Sequence, residues 1–230
     1  MKNVDATHNR IITSLSPSDI ARIAPHLSLI ELPRGEVLFQ PGAAVETIYF
    51  PEQAVISFLG NTGGGGTVEI WSVGPEGLAG MSGILAVRSP FRAVVQIAGP
   101  AYAISRSTFL RLFNECRPLH DSVLRYYQSL LVQASQLGVC NNAHAVEQRF
   151  SRWLLMLQDR SGTSQLNLTQ ESIATALGTR RATISEAAAA LQQAKLISYT
   201  PGSIKINSRR GLQATTCHCY KLIKAHFDAA

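Results

Sequence analysis

Between residues 30 and 105 the apolar positions come in short alternating runs, at 30–32, 37–39, 47–50, 54–59, 67–73, 93–97 and 101–104. Gly/Pro punctuation separates them, as at Pro33-Arg34-Gly35, Pro41-Gly42, Gly74-Pro75 and Gly99-Pro100. Alternation sends successive side chains to opposite faces of a strand, and many short strands at near-regular spacing predict an antiparallel barrel or jelly roll. Gly63 to Gly66 reads as a wide hairpin turn. A phosphate loop would continue into Lys-Ser or Lys-Thr and a helix, and here a strand follows instead. Ahead of the strands, residues 9–30 predict one or two short helices, with Ser16 or Ser18 as cap, Pro17 in the first turn, and Ile20, Ile23, Ala24 and Leu27 at helical spacing.

After Ser107 the period becomes helical. Over residues 119–142, Val123, Tyr127, Leu130, Ala134 and Leu137 alternate spacings of four and three, with Leu124, Leu131 and Gly138 as a second stripe beside them. A long helix with two apolar stripes has two neighbours: its own barrel and the same helix of a second subunit. The five residues of the first stripe are the expected dimer seam; the alternative is a helix buried within one domain. Asn141 continues the repeat, either to set register or to mark the helix end. A further helix carries Val146, Phe150, Trp153, Leu154 and Leu157 on one face and stops near Gly162.

Residues 169–192 then predict helix, tight turn, helix. Thr169 caps the first helix, Ile173, Ala174 and Leu177 face inward, and Gly178 gives the turn its left-handed residue. Thr179 or Arg180 opens the second helix, which Ile184, Ala187, Ala188 and Leu191 pack down. That leaves Arg180, Arg181, Thr183, Ser185 and Glu186 outward near its start, where an arginine can pair with a guanine edge in the major groove. Leu196-Ile197-Ser198-Tyr199, a Pro201-Gly202 turn and Ile204-Lys205-Ile206 predict a two-stranded wing. A last helix, capped by Asn207 or Ser208, runs to about Phe227.

Charge sharpens the picture. Residues 1–144 hold 10 Lys/Arg and 10 Asp/Glu, whereas residues 145–230 hold 11 and 5 and so carry the whole net charge of +6. A neutral half joined to a basic half fits one polyanionic partner met at one end. No apolar run reaches membrane-spanning length and no signal-peptide core begins the chain, so a cytoplasmic protein with no membrane partner is expected. No nucleophile–base pair is legible, and His8, His26, His120, His144, His218 and His226 are isolated, so no catalytic residue is expected and the protein reads as a non-enzyme. Four cysteines, Cys116, Cys140, Cys217 and Cys219, form no paired Cys-x-x-Cys motif, and no metal site is expected. A thiol or metal sensor built on Cys217, Cys219 and His218 is a minor alternative. Cys-x-Cys on a helix sets its sulfurs about 200° apart, which disfavours a shared ion.

With these elements in place, the chain resembles the Crp/Fnr superfamily, the catabolite-activator and fumarate-nitrate-regulator type of transcription factor. The resemblance runs through Gly35-Glu36-Val37-Leu38-Phe39-Gln40-Pro41-Gly42, Ile48-Tyr49-Phe50-Pro51, Val68-Glu69-Ile70, Val73-Gly74-Pro75-Glu76-Gly77, Leu168-Thr169-Gln170-Glu171 and Gly178-Thr179-Arg180-Arg181. It implies an α+β architecture: a cyclic-nucleotide-binding-like jelly-roll effector domain (1–117), a dimerisation helix (118–144) and a C-terminal winged helix (145–230). It also implies a homodimer on a palindromic site in double-stranded DNA, touched by Thr169, Gln170, Arg180, Arg181, Thr183, Ser185 and Glu186, with RNA polymerase as a further partner if the protein activates. Arg181 matches the arginine that reads guanine in the family. The acidic residue that usually follows is Ala182 here, and the later arginine is Glu186, so the target differs. The effector pocket falls at Gly80, Met81, Ser82, Arg92 and Ala93. Family members that bind cyclic nucleotides grip ribose with a Gly-Glu pair, here Gly80-Met81, and a thioether cannot take the ribose hydroxyl's hydrogen bonds as a carboxylate does. Cyclic AMP is therefore not the expected effector. No cysteine precedes Cys116, which argues against an iron–sulfur cluster. A vestigial, ligand-free barrel is the second reading.

Overall fold

The computed structural model describes residues 7–63, 66–85 and 88–229, and the chain divides into two compact units. One comprises the chain up to Phe58 together with Ser72–Leu130; the other comprises Leu59–Trp71 and Leu131–Ala229.

α1 (Arg10–Thr13) and α2 (Pro17–Ile23) precede the strands β1 (Ser28–Leu32), β2 (Val37–Phe39), β3 (Thr47–Pro51), β4 (Val55–Asn61), β5 (Thr67–Val73), β6 (Arg92–Ile97) and β7 (Gly99–Ser105), of which the far end of β4 and most of β5 belong to the second unit. They form two sheets, ordered β1-β7-β3 and β2-β6-β4-β5. β7 pairs antiparallel with both neighbours, Leu29 opposite Tyr102 and Ile48 opposite Ile104. The predicted alternation holds on β3, where Ile48 and Phe50 are fully buried with Phe39, Val95 and Phe109 in the same core, but not on β4, where Val55 to Leu59 are all buried. The predicted jelly roll is thus present, and each run expected to be a strand is one. At the Gly63 turn, the Thr62 amide donates to the Gly66 carbonyl at 2.9 Å, while Gly64 and Gly65 lie outside the described residues. Ser16 caps α2, with its side chain accepting from the Asp19 amide. Asn9, wholly buried, fixes the leading segment by donating to the carbonyls of Pro51 at 3.0 Å and Gly77 at 2.8 Å.

A short helix α3 (Met81–Leu85) interrupts the strands, and α4 (Arg106–Glu115) leads into α5 (Arg117–Ala143), 27 residues long. Gly77 lets α5 approach closely: a Cβ there would lie 1.9 Å from the Tyr126 ring, whose hydroxyl donates to the Leu78 carbonyl.

Most of the expected seam on α5 is covered within the single chain. Val123, Leu130 and Leu137 are only 0%, 5% and 4% exposed, so they are packed within the chain itself. Ala134 is half-buried; of the five, only Tyr127 is exposed. The open apolar face is the second stripe, Leu124, Leu131 and Gly138, joined by Tyr127 and Val139. At ~100° per residue these five share one side of the helix. A seven-residue repeat reports that stripes exist, but two adjacent stripes carry the same period.

The second unit contains α6 (Val146–Ser161), β8 (Gln165–Leu166), α7 (Gln170–Leu177), α8 (Arg181–Gln193), β9 (Ile197–Thr200), β10 (Ser203–Ile206), α9 (Arg209–Thr215) and α10 (Cys219–Asp228). α6 ends at Gly162 in the left-handed conformation. The wing is a three-stranded sheet ordered β8-β10-β9, because residues 165–166 pair with β10 as well. The expected single last helix is two. Thr216 is extended, with φ −70° and ψ 156°, and ends α9, so Cys217 and His218 form a connection before α10. Cys217 and Cys219 are therefore not two positions of one helix, and the 200° separation expected of their sulfurs does not apply.

Candidate nucleic-acid interface

α7 begins with a reciprocal cap. The Thr169 side chain accepts from the Ser172 amide and the Ser172 hydroxyl accepts from the Thr169 amide, both at 3.1 Å. The helix stops at Gly178, φ +59°, where the Thr179 amide reaches back to the Ala174 carbonyl at 3.0 Å. Only glycine enters that conformation without steric cost, and a Cβ there would also meet Val68 Cγ2 at 2.8 Å. Arg149 holds the same end from α6, its Nη2 donating to the Leu177 carbonyl. A guanidinium at a helix C-terminus meets the negative end of the helix dipole. Arg149 was not legible as part of this site, since one arginine on an apolar helix face carries no pattern.

Arg180 takes the N-cap position and α8 begins at Arg181. Ile184, Ala187, Ala188 and Leu191 are buried as expected, against Ile173, Ala174 and Leu177 of α7; Ala176 joins them. Arg180, Arg181 and Glu186 are exposed, and Thr183 and Ser185 half-exposed. Arg181 Nε donates to Gln170 Oε1 at 2.8 Å, bridging the starts of both helices. The Ser185 hydroxyl turns inward to the Arg181 carbonyl at 3.2 Å. Arg180, Arg181 and Thr183 also line an open cleft with Thr62 and Thr67 of the β4–β5 hairpin. The same hairpin is tied to α6 by Trp153 Nε1, which donates to the buried Glu69 carboxylate at 3.1 Å.

Behind the wing, the two adjacent arginines at the start of α9 differ. Arg209 is engaged within the unit: it donates to Asp159 Oδ1 at 2.6 Å, Gln158 Oε1 at 2.8 Å and the Tyr220 hydroxyl at 2.8 Å. Arg210 is exposed.

In the barrel, the expected pocket residues fall at two places. Gly80, φ +116°, is buried against Ile48 and leads into α3, where Met81 and Ser82 are half-buried. Arg92 begins β6 and is exposed, while Ala93 is buried. Arg106 Nε donates to the Gly83 carbonyl at 2.6 Å, fixing α3 to the barrel from within.

These elements define a class: a winged-helix DNA-binding unit combined with a cyclic-nucleotide-binding-type barrel. Comparison with known families agrees on both. Residues 29–116 match the cyclic nucleotide-binding domain and residues 148–215 the Crp-like helix-turn-helix domain. Solved structures of the same fold include a putative Crp/Fnr-family transcriptional regulator from Eubacterium rectale, with 13% identity, 90% of this chain and 98% of that one covered, and a TM-score of 0.68. FixK2 from Bradyrhizobium japonicum shows 14% identity over 83% of this chain and 98% of its own, with a TM-score of 0.70. The c-di-GMP-responsive regulator CLP of Xanthomonas campestris shows 15% identity over 84% and 100%, with a TM-score of 0.68. No curated protein matches the chain by sequence. The chain belongs to the Crp/Fnr family of DNA-binding transcription regulators. Among the described residues no helix is long and apolar enough to cross a membrane.

Proposed function

We propose that the protein binds a palindromic DNA site as a homodimer, reads it through α8, and is gated through its barrel. The observation that carries this reading is the state of Arg181. It is exposed at the start of α8 and its Nε is held by Gln170, so both terminal nitrogens remain without a partner among the described residues. An arginine steadied in this way can present two parallel donors to guanine O6 and N7, a pairing worth about 1–3 kcal/mol of discrimination. Arg180, Thr183 and Glu186 flank it, while Thr169 and Gln170 stand at the start of α7, where backbone contacts fit. The exposed stripe Leu124, Tyr127, Leu131, Gly138 and Val139 is the proposed seam. A twofold pair of α8 helices would then read half-sites ~34–36 Å apart.

The gate is assigned to the barrel by the family resemblance, and a thioether at Met81 in place of the ribose-gripping carboxylate argues against cyclic AMP as its ligand. One structural neighbour is c-di-GMP-responsive, so cyclic mono- and dinucleotides form the first ligand panel. A rise in melting temperature identifies a ligand of the folded state; no rise with any compound favours the ligand-free barrel.

Selection of bound sequences from random DNA tests the reading directly. The parent should recover a palindrome, Arg181→Ala should lose preference at one base pair in each half, and Arg210→Ala should weaken all sequences alike and flatten the salt dependence. Arg181→Ala with the parent's preference intact would remove Arg181 as the reading residue.

A further inference from the structure

The second unit gathers the ligand atoms of four side chains within 4.8 Å of one another: Cys140, His144, Cys217 and Cys219. Cys140 is in the last turn of α5 and His144 is the residue just after that helix; the His144 amide donates to the Cys140 carbonyl at 3.1 Å, which keeps the helical turn going and brings the two side chains to one side. Cys217 comes from the α9–α10 connection and Cys219 from the first position of α10. Because Cys217 precedes the helix, both sulfurs can turn toward α5. The Cys140 and Cys217 sulfurs are 3.5 Å apart, and Cys219 Sγ lies 3.7 Å from His144 Nδ1. A tetrahedral zinc ion with bonds of about 2.3 Å to sulfur and 2.0 Å to nitrogen sets its ligand atoms about 3.5–3.8 Å apart. The two measured edges are therefore already at coordination length, and the longest needs only about 1 Å of closure. All three cysteines are buried, and half-buried His144 forms the open rim by which an ion could enter.

Two surrounding features suit a negatively charged cluster. Gln136 Nε2 donates to Cys219 Sγ at 3.1 Å, the kind of outer-shell hydrogen bond that steadies a metal-bound thiolate. Arg152, 3% exposed, has only the Met156 thioether as acceptor for Nη1, and its Nε has no partner among the described residues. A buried guanidinium without a counter-charge is costly. Three thiolates and one imidazole around a divalent ion carry a net charge of −1, which supplies it.

We propose that Cys140, His144, Cys217 and Cys219 form a closed four-coordinate zinc site that fastens the α9–α10 turn to the end of α5. Binding releases the three thiol protons to solvent and involves no change of oxidation state.

The test uses the purified full-length chain, reduced and without DNA, so its outcome is separate from that of the DNA-binding reading. Elemental analysis should find about one zinc per chain. Cobalt(II) replacing zinc should give the thiolate-to-cobalt charge-transfer and visible bands of a tetrahedral sulfur-rich site. Cys219→Ser should weaken zinc by at least ~100-fold in competition with a chromophoric chelator, and Gln136→Leu by ~10–100-fold. Should Cys219→Ser fail to fold, His144→Ala at the rim gives the same reading. A parent chain that takes up neither metal stoichiometrically after reduction overturns the proposal, as does a Cys140–Cys217 disulfide found with no metal uptake on its reduction. So does a folded His144→Ala or Cys219→Ser chain that binds zinc as tightly as the parent.

Discussion

Leu130 and Leu131 are adjacent on α5, and exchanging each for glutamate should have opposite consequences. Leu130 is 5% exposed and Leu131 is 53% exposed in the single chain. Full burial of a leucine is worth about 1.5–3 kcal/mol, so the half of Leu131 still open can contribute about 1 kcal/mol on pairing. A twofold interface counts it twice, giving about 2 kcal/mol. Leu131→Ala should therefore weaken the dimer about 30-fold, at 1.4 kcal/mol per factor of ten. Leu131→Glu adds two carboxylates facing each other across the axis and should leave a monomer at micromolar concentration, with circular dichroism and melting unchanged by more than the lost association. Leu130→Glu places an unpaired charge in the chain's own core, where truncation alone costs about 2–5 kcal/mol. It should lower the unfolding midpoint sharply whatever the oligomeric state. Sedimentation velocity and chemical denaturation on both variants read the difference. A Leu131→Glu chain that sediments as the parent dimer refutes the seam, and a folded, monomeric Leu130→Glu chain would restore the first stripe as the interface.

Lys195, after α8, is the one non-glycine residue with positive φ among the described residues, at +60°. A left-handed side chain costs about 1–2 kcal/mol, partly offset by the greater freedom of an unfolded glycine, so Lys195→Gly should raise the unfolding free energy by about 0.5–1 kcal/mol in a urea titration; a loss of stability would contradict it. Tyr220 is pushed up to about 12, first by burial and then by its hydrogen bond to Asp159 at 2.8 Å. An acid whose folded pKa lies above its unfolded value of about 10 stabilises fully below pH 10 and loses that contribution as pH rises through 12. Unfolding free energy should thus fall across pH 10–12, and Tyr220→Phe should fall less steeply; parallel curves would show that the phenol does not govern this range.

Much of this protein is local and was legible without coordinates. Alternation gave the strands, because the side-chain period of a strand is fixed by its backbone. The helix-turn-helix was equally plain, since Thr169 and Gly178 are dictated by caps and a left-handed turn within a few residues of chain. What lay beyond reach shares one physical cause: it depends on which groups distant in sequence face each other. Periodicity could not say whether Leu130 or Leu131 looks inward, since adjacent stripes share the repeat and only packing separates them. Arg209 and Arg210 are identical in sequence terms, yet Asp159 and Tyr220, brought in by α6 and α10, engage the first and leave the second open. The cysteines make the point most sharply. Cys140 and Cys217 are 77 residues apart, and a helix break at Thr216 that no strong signal marks turns Cys217 toward α5. Spacing determines a site only when its ligands share one element; here they come from the end of α5, the α9–α10 connection and the start of α10, and the tertiary fold alone brings them together.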